Sequence, residues 1–342
     1  RNLPRIQSIE GRADDVLFGY LEALPQPLPP GVRCAPLGAD AAAWRSALAS
    51  WFAEYSAPQP RGDPPDPLAD PAPRLRAGYV DHREGQLHLR VAGSGPGPPL
   101  LLLHDLPGSA AAVEALGLAL ATGRRVLMPD LPGCGESDAQ AAATAQRSAA
   151  ALLAALDRLQ VAAADLYAEQ LAAPLALELA ALAPGRVRRL VCRGLPPLSP
   201  GARAALLPAY CPPLTPRRDG THWLAAWQLL GDREVAWPWF ERSREAVRRR
   251  GAGLDAATRQ RIVVDLMKQP GSYAQPLHAA LAVPLEARLA ALETDTTVLL
   301  DASDPRDAGL PEVLAGRPSL RVEAAPDTAT GLAAVLVRLF GP

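Results

Sequence analysis

The sequence has few of the features that mark metal-binding, disulfide-linked, nucleic-acid-binding or membrane-spanning proteins. It holds four cysteines, too widely spaced for a CxxC or CxxH zinc pattern or for a disulfide framework: Cys34, Cys134, Cys192 and Cys211. The 35 basic and 36 acidic residues leave a net charge of -1, so no excess charge favours nucleic acid or an anionic membrane. Apolar runs such as 98–103 and 149–156 are much shorter than the roughly 20 residues of a membrane span. We therefore expect a cytoplasmic protein with no metal or other cofactor, no nucleic-acid partner and no membrane association.

The composition is that of a folded chain with a large core. Of the 342 residues, 49% are hydrophobic and 21% are charged, which excludes a disordered protein. The length corresponds to two domains or to one large α/β domain with an insertion.

The N-terminal part of the sequence predicts three segments before the main domain. Residues 1–12 are expected to be a tag or tail, because 9–12 read Ile-Glu-Gly-Arg, a common protease site. Residues 13–56 predict a helical arm with an amphipathic helix from Asp40 to Ser56. That helix would dock on its own domain, on a second copy of the chain or on a protein partner. Residues 57–78 hold many prolines and predict a linker.

From residue 79 onward, strand and helix patterns alternate. Residues 79–92 predict a hairpin, and strands are then expected at 99–104, 125–130, 163–168, 187–193, 297–302 and 320–323. Helical patterns lie between these strands, which is typical of a doubly wound, mostly parallel sheet. The alternation stops at Gly194 and resumes near 293. The intervening residues 195–292 predict a helical cap inserted into a core formed by 79–194 and 293–342.

Two segments carry a specific family signature. Residues 100–109 read LLLLHDLPGS, and residues 126–138 read VLMPDLPGCGESD. Both closely resemble the α/β-hydrolase family, in particular its capped branch that includes epoxide hydrolases and C–C hydrolases. Residues 175–191 are similar to the family's helix and strand that follow the nucleophile. The resemblance implies an α/β-hydrolase fold with an inserted helical cap, preceded here by the N-terminal helical arm.

The family's nucleophile position is occupied by an amide. In these enzymes the nucleophile lies on a sharp turn between strand and helix, with small residues two positions before and after it. Only Gln170, flanked by Ala168 and Ala172, fits that register. Taking Glu169 as the apex would place Tyr167 and Leu171 at the crowded positions. An amide cannot attack as an alkoxide or thiolate does, so the resemblance places an inactive residue at the nucleophile position.

Two other elements of the family's site also depart from its pattern. The catalytic histidine is expected in the loop at 324–330, but the sequence has no histidine after His278. Asp304 matches the family's acid, yet it has no histidine to orient. Asp105 replaces a glycine beside the backbone N–H groups of the oxyanion hole, where its negative charge would repel a developing oxyanion.

The expected ligand site combines core and cap residues. On the core we include Asp105, Leu106 and Leu171, and on the cap His222, Trp223 and Trp227. The cap tryptophans would either form an aromatic wall of the site or pack the cap on the sheet. Arg248, Arg249 and Arg250 are expected on a solvated face of the cap, and His82 and His88 on the surface.

Three functions remain open at this point. The first is a degenerate hydrolase relative that binds a small apolar molecule or a protein partner under the cap. The second is an enzyme with altered chemistry on a small ester or ketone, based on Glu169 and His222. The third is an ordinary serine hydrolase whose nucleophile and base come from unusual positions. Convergence of Glu169, Asp105 and His222 on a large pocket would favour the second, and a collapsed pocket would favour a binding scaffold.

Overall fold

The computed structural model describes residues 7–10, 16–20, 32–36, 46, 49, 75–196, 199–241, 243–248, 255–302, 304–317 and 319–341. The chain divides into two compact units, residues 1–71 and 72–342. The expected proline-rich linker lies mostly outside the described residues. Its last three positions differ from the prediction, because Arg76–His82 is already a strand.

The first unit contains a small sheet of three strands. Strand β1 (Gln7–Glu10) pairs antiparallel with β2 (Val16–Tyr20), which pairs parallel with β3 (Val32–Pro36). The N-terminal arm is therefore not wholly helical, which corrects the prediction. The valine, leucine, phenylalanine and tyrosine of β2 favour an extended backbone over a helix. Of the helix expected over 40–56, only Ser46 and Ala49 are described, and both are helical.

The second unit is built on one sheet of eight strands, in the order β11-β10-β9-β8-β6-β7-β5-β4. The strands are β4 (Arg76–His82), β5 (Gly85–Ala92), β6 (Gly97–Leu103), β7 (Arg124–Pro129), β8 (Ala164–Glu169), β9 (Val187–Arg193), β10 (Asp295–Leu300) and β11 (Leu320–Ala324). Strands β6 to β11 run parallel, whereas β5 runs antiparallel to both β4 and β7. The predicted hairpin is confirmed, with His82 opposite Gly85 at its turn.

Helices cover both faces of the sheet. Those of the core are α1 (Glu114–Leu120), α2 (Ala145–Arg158), α3 (Ala173–Leu182), α9 (Leu310–Leu314) and α10 (Ala329–Phe340). Helix α2 is capped at its N-terminus by Thr144, whose hydroxyl oxygen accepts the N–H of Arg147 at 3.2 Å. Helix α3 is apolar on nearly all sides and buries eight consecutive residues, because it lies between the sheet and other helices.

The residues between β9 and β10 form a helical insertion. Its helices are α4 (Pro200–Tyr210), α5 (Thr221–Val235), α6 (Ala256–Lys268), α7 (Gln275–Leu281) and α8 (Leu285–Ala290). Helices α5 and α6 share an apolar cluster that includes Leu229, Leu230, Ile262 and Leu266. Among the described helices, none combines the length and apolar character needed to cross a membrane.

Candidate active site

Gln170 lies at the sharp bend between β8 and α3. Its φ is 39°, a left-handed conformation that residues with a side chain rarely adopt. The chain leaves the strand at Glu169, forms a short 3-10 turn over Gln170–Ala172 and enters α3 at Ala173. Ala168 and Ala172 are fully buried on either side of the bend. The bend therefore has the geometry expected for the nucleophile turn, with the amide at its apex.

The Gln170 side chain is itself buried, with 2% of its surface exposed. It lies against Gly194, which follows β9 with a φ of 76°. A methyl group on residue 194 would come within 2.0 Å of Gln170 Nε2. Gln170 thus packs into the fold and is not among the residues that line the neighbouring cavity.

The carboxylate of Asp105 accepts hydrogen bonds from backbone N–H groups beside the bend. One of its carboxylate oxygens, Oδ1, accepts the N–H of Leu106 at 2.8 Å and the N–H of Leu171 at 3.0 Å. Leu106 is the second residue after His104, which follows β6, and Leu171 is the residue after Gln170. In this fold the backbone N–H groups at these two positions form the oxyanion hole. The prediction was that Asp105 would repel an oxyanion. In the structure the carboxylate also accepts the hydrogen bonds of both N–H groups, so it occupies the position of the oxyanion.

The carboxylate of Asp105 is fixed by an arginine from the helical insertion. Arg233 Nη2 donates to Asp105 Oδ2 at 2.8 Å and to the carbonyl of Leu106 at 2.9 Å. Its Nη1 donates to the carbonyl of Pro107, and its Nε donates to the hydroxyl of Tyr210. These bonds use four of the five N–H donors of the guanidinium and hold Asp105 against the bend.

Asp304, which the resemblance places at the acid position, accepts hydrogen bonds from two arginines. Arg248 donates to Asp304 Oδ2 from Nε at 3.2 Å and from Nη2 at 3.0 Å. Arg306 Nη2 donates to the same oxygen at 2.9 Å. Burial alone would raise the pKa of Asp304, but the two guanidinium groups outweigh it and hold that pKa well below its usual range. The carboxylate is therefore charged and has cations where the family's acid would meet a histidine.

The burial of Arg248 corrects a prediction. It was expected on a solvated face, yet only 7% of its surface is exposed. A buried carboxylate such as Asp304 requires a charged partner, and Arg248 supplies it from the insertion. Arg249 and Arg250 lie outside the described residues.

Glu169 belongs to a second polar group at the same edge of the sheet. Its Oε1 accepts the hydroxyl hydrogen of the buried Tyr167 and lies 3.6 Å from Arg193 Nη1. Glu169 and Arg193 are register partners on β8 and β9, so both side chains reach the carboxyl end of the sheet.

A cavity of about 800 Å³ lies over this edge of the sheet, between the core and the helical insertion. Its polar lining includes Asp105, Glu169, Arg193, Arg233, Arg248 and Arg306. Its apolar lining includes Val113, Leu116, Leu230, Trp237, Ile262 and Leu332. In the described part of the chain, no serine, cysteine or histidine lines this cavity. The pocket is therefore open rather than collapsed, and much more charged than the apolar site expected from the sequence.

The expected insertion residues do not reach the cavity. His222 lies at the start of α5, where its Nδ1 accepts the N–H of Arg217 at 3.1 Å. Trp223 is 41% exposed, and the ring of Trp227 stacks under the guanidinium of Arg259. His222 therefore does not converge with Glu169 and Asp105, which is the arrangement that would have favoured an enzyme based on Glu169 and His222. All three of these insertion residues precede Leu230, Arg233 and Glu234, the α5 residues that line the cavity, and so lie nearer the N-terminal end of the helix.

Leu106 and Leu171 contribute through their backbones only. Both side chains are buried in the core and are absent from the cavity lining. Trp237 is a tryptophan of the insertion that does line the cavity. Trp239 instead donates its Nε1 hydrogen to the carbonyl of Tyr210, so it packs the insertion together.

Cys134 and His88 are both held in structural positions. Burial raises the pKa of the Cys134 thiol well above its usual value, which disfavours the reactive thiolate. His88, expected on the surface, is buried, and its Nδ1 lies 2.9 Å from Asp130 Oδ2. Asp130 also accepts backbone N–H groups from Ala110 and Glu136, and its pKa is lowered to about 2. This network fixes the loop after β7.

Comparison with known proteins identifies the fold. The sequence profile of the α/β-hydrolase fold matches residues 98–212. A hydrolase from Pseudomonas aeruginosa superposes with a TM-score of 0.60 at 20% identity, covering 78% of this chain and 98% of the other. The enol-lactonase from Burkholderia xenovorans superposes with a TM-score of 0.59 at 19% identity, and the match covers 78% of this chain and 100% of the enol-lactonase. An epoxide hydrolase from Vigna radiata superposes with a TM-score of 0.56 at 17% identity, and the match covers 76% of this chain and 94% of the epoxide hydrolase. The chain has the α/β-hydrolase fold, as the sequence motifs predicted.

Proposed function

We propose that the protein is a ligand-binding member of its fold class without serine-hydrolase activity. The observation that carries this proposal is the position of Asp105, whose Oδ1 accepts the N–H groups of both Leu106 and Leu171. Acyl transfer needs these donors free for the oxyanion of the tetrahedral intermediate. A fixed carboxylate competes with that oxyanion for the same hydrogens and adds charge repulsion.

The rest of the site supports the same proposal. Gln170 at the bend has no ionisable group that a base can activate. Asp304 is paired with Arg248 and Arg306, so it is not available to orient an imidazole. In the enzymes of this fold, nucleophile, base, acid and oxyanion hole act as a unit, and losing one removes most of the rate. Here all four elements depart from the active pattern.

The open cavity favours binding over a purely structural role. At about 800 Å³ it lies within the size range of small-molecule sites, and it combines apolar walls with a few fixed polar groups. The alternative of an enzyme based on Glu169 and His222 has no geometric support, since His222 does not line the cavity. A protein partner or a second copy bound through residues 13–56 remains a prediction.

The proposal is tested with a fluorophosphonate probe and with activated esters such as p-nitrophenyl acetate. We expect no labelling above that of heat-denatured protein, and ester hydrolysis no faster than that of the Gln170→Ala variant. Stoichiometric labelling that maps to one serine or threonine, and disappears on its substitution, would overturn the proposal.

A further inference from the structure

Strand β11 lies at one edge of the eight-stranded sheet, so one side of its backbone has no neighbouring strand in the sheet. Alternate residues of a parallel strand direct their N–H and C=O groups to the same neighbour. The carbonyl of Ser319 and the N–H of Ala325 both bond to β10, at 3.1 and 2.8 Å, so the odd-numbered residues of this segment face that strand. The N–H and C=O groups of Val322 and Ala324 therefore point outward, and no group in the described part of the chain hydrogen-bonds to them.

Two opposite charges stand two residues apart on β11. Arg321 and Glu323 therefore project from the same face of the sheet. Arg321 Nη2 donates to both carboxylate oxygens of Asp295, at 2.6 and 2.8 Å, and Glu323 accepts a hydrogen bond from Arg338 of α10. Both ion pairs lie at the surface, so Arg321 and Glu323 can also meet the charges of a strand that adds to this edge.

We propose that β11 pairs antiparallel with β11 of a second copy of the chain, about a twofold axis at Val322. The two Val322 residues then lie opposite each other and exchange N–H···O=C hydrogen bonds, and each Ala324 N–H reaches the carbonyl of Leu320 of the other copy. Arg321 lies opposite Glu323 of the second copy, and Glu323 lies opposite its Arg321. On the other face, the side chain of Val322, which is 40% exposed in the single chain, contacts its counterpart. None of these residues lines the cavity, so the inference does not depend on the proposed function.

The charges of β11 select this register. A twofold axis at Glu323 would place two carboxylates opposite each other, and an axis at Arg321 would do the same with two guanidinium groups. An axis between two residues would set an outward-facing residue opposite an inward-facing one and lose the hydrogen bonds. Charges on an edge strand usually oppose pairing, but the alternating signs of Arg321 and Glu323 make this edge complementary to itself.

The opposite edge of the sheet lacks this complementarity. Strand β4 carries Arg76 and Asp81, which are five residues apart and therefore project from opposite faces. Residues that oppose each other in an antiparallel pair project from the same face, so self-pairing of β4 cannot bring Arg76 opposite Asp81. The charge pattern therefore favours a second copy at β11 and not at β4.

The test measures the oligomeric state of the full chain by sedimentation velocity, from about 1 μM to about 0.5 mM, which covers weak and moderate association. We expect an equilibrium between monomer and dimer. Val322→Pro should raise the dissociation constant about tenfold or more, because proline removes the outward N–H of residue 322 from both copies. That N–H is not used in the ladder to β10, so the variant should keep its fold, which circular dichroism checks. A wild-type chain that stays monomeric over the whole range, or a folded Val322→Pro variant that dimerises like the wild type, would overturn the proposal.

Two charge-reversal variants test the register without a change to the backbone. Arg321→Glu places carboxylates opposite each other at two positions of the pair, and Glu323→Arg does the same with guanidinium groups. We expect each variant alone to dimerise about tenfold more weakly than the wild type. An equimolar mixture of the two variants should regain dimers, because every reversed charge of one variant then faces an opposite charge of the other.

Arg158→Glu is the matched control for charge reversal. Arg158 is exposed at the C-terminal end of α2, a helix that packs against β4 at the opposite edge of the sheet. Its reversal should change the dissociation constant by less than about twofold. Equal weakening in Arg158→Glu and Arg321→Glu would show a general charge effect and overturn the proposal. A mixture of Arg321→Glu and Glu323→Arg that associates no better than the separate variants would overturn it as well.

Discussion

The amide of Gln170 fills the space above the Cα atom of Gly194. A Cβ atom at residue 194 would lie 2.0 Å from Gln170 Nε2 and 2.4 Å from Cδ, both far inside van der Waals contact. The bend residue and the end of β9 are therefore fitted to each other. This contact explains how a side chain as large as glutamine is buried at a position that is crowded by its neighbours.

The substitution Gly194→Ala should therefore destabilise the protein by more than backbone strain alone. Left-handed strain costs about 1–2 kcal/mol, and overpacking against Gln170 should add about 1–3 kcal/mol to the loss of unfolding free energy. Gly185→Ala is the matched control, since Gly185 has a φ of 84° but no atom within 4 Å of its Cβ position. Urea denaturation of the Gly194→Ala and Gly185→Ala variants measures the two losses of unfolding free energy.

Removal of the Gln170 side chain should abolish the additional loss of unfolding free energy that overpacking causes in Gly194→Ala. In a Gln170→Ala background, Gly194→Ala should cost about as much as Gly185→Ala does in the wild-type chain. If the cost at residue 194 were unchanged in that background, the described packing of Gln170 would be wrong.

The sheet and the bend were predictable because they depend on local patterns. Buried strands such as β6, which ends in four consecutive leucines, read as apolar runs, and the spacing of Ala168, Gln170 and Ala172 identified the apex of the turn. The contact between Gln170 and Gly194 was not predictable, because it joins two strands whose register the sequence does not specify. The three strands of the first unit were missed, since they are short and lie between proline-rich and glycine-containing segments.

The arginines of the site were missed for a different reason. Arg233 and Arg248 lie in the insertion, and sequence periodicity does not show which residues of an insertion meet the core. The signal that pointed to them was Asp304 itself. A carboxylate placed at a buried strand end without its histidine requires another cation, and the chain supplies almost only arginine for that purpose.

Asp304→Asn should be strongly destabilising because it leaves Arg248 and Arg306 buried without their counter-charge. Loss of one partner of a buried ion pair typically costs about 3–5 kcal/mol of unfolding free energy. Asp295→Asn is the control, because Asp295 pairs with Arg321 on the surface and exposed pairs contribute about 1 kcal/mol or less. Chemical denaturation of the two variants should differ clearly, and equal losses would mean that Asp304 is not buried as described.

The pH dependence of stability should show the effect of the buried His104. Burial lowers the pKa of His104 below 6.5, although the nearby charge of Asp130 opposes the shift. Its Nε2 accepts the N–H of Leu131 at 3.1 Å, and its Nδ1 lies 2.9 Å from the carbonyl of Asp105, so the native state holds the neutral ring. Below pH 6.5 the unfolded chain then binds more protons than the folded one, and stability falls as the pH decreases.

The expected loss from His104 is up to about 1 kcal/mol between pH about 6.5 and about 5.5, measured by urea denaturation at several pH values. The slope in this range should be smaller in His104→Asn. It should be unchanged in His278→Gln, because His278 is exposed. A His104→Asn variant with the wild-type slope would exclude His104 as the source.

Restoring single elements of the active pattern should not restore hydrolysis. Gln170→Ser supplies a hydroxyl group, and Asp105→Gly frees the N–H groups of Leu106 and Leu171. The combined variant still lacks a base, since the loop 324–330 has no histidine and Asp304 remains paired with Arg248 and Arg306. We therefore expect turnover of p-nitrophenyl acetate within about twofold of the wild-type background, because a serine hydroxyl without a base is not activated. Circular dichroism confirms that the double variant is folded, and a single-serine burst of p-nitrophenol from it would show that a base is present within reach of residue 170.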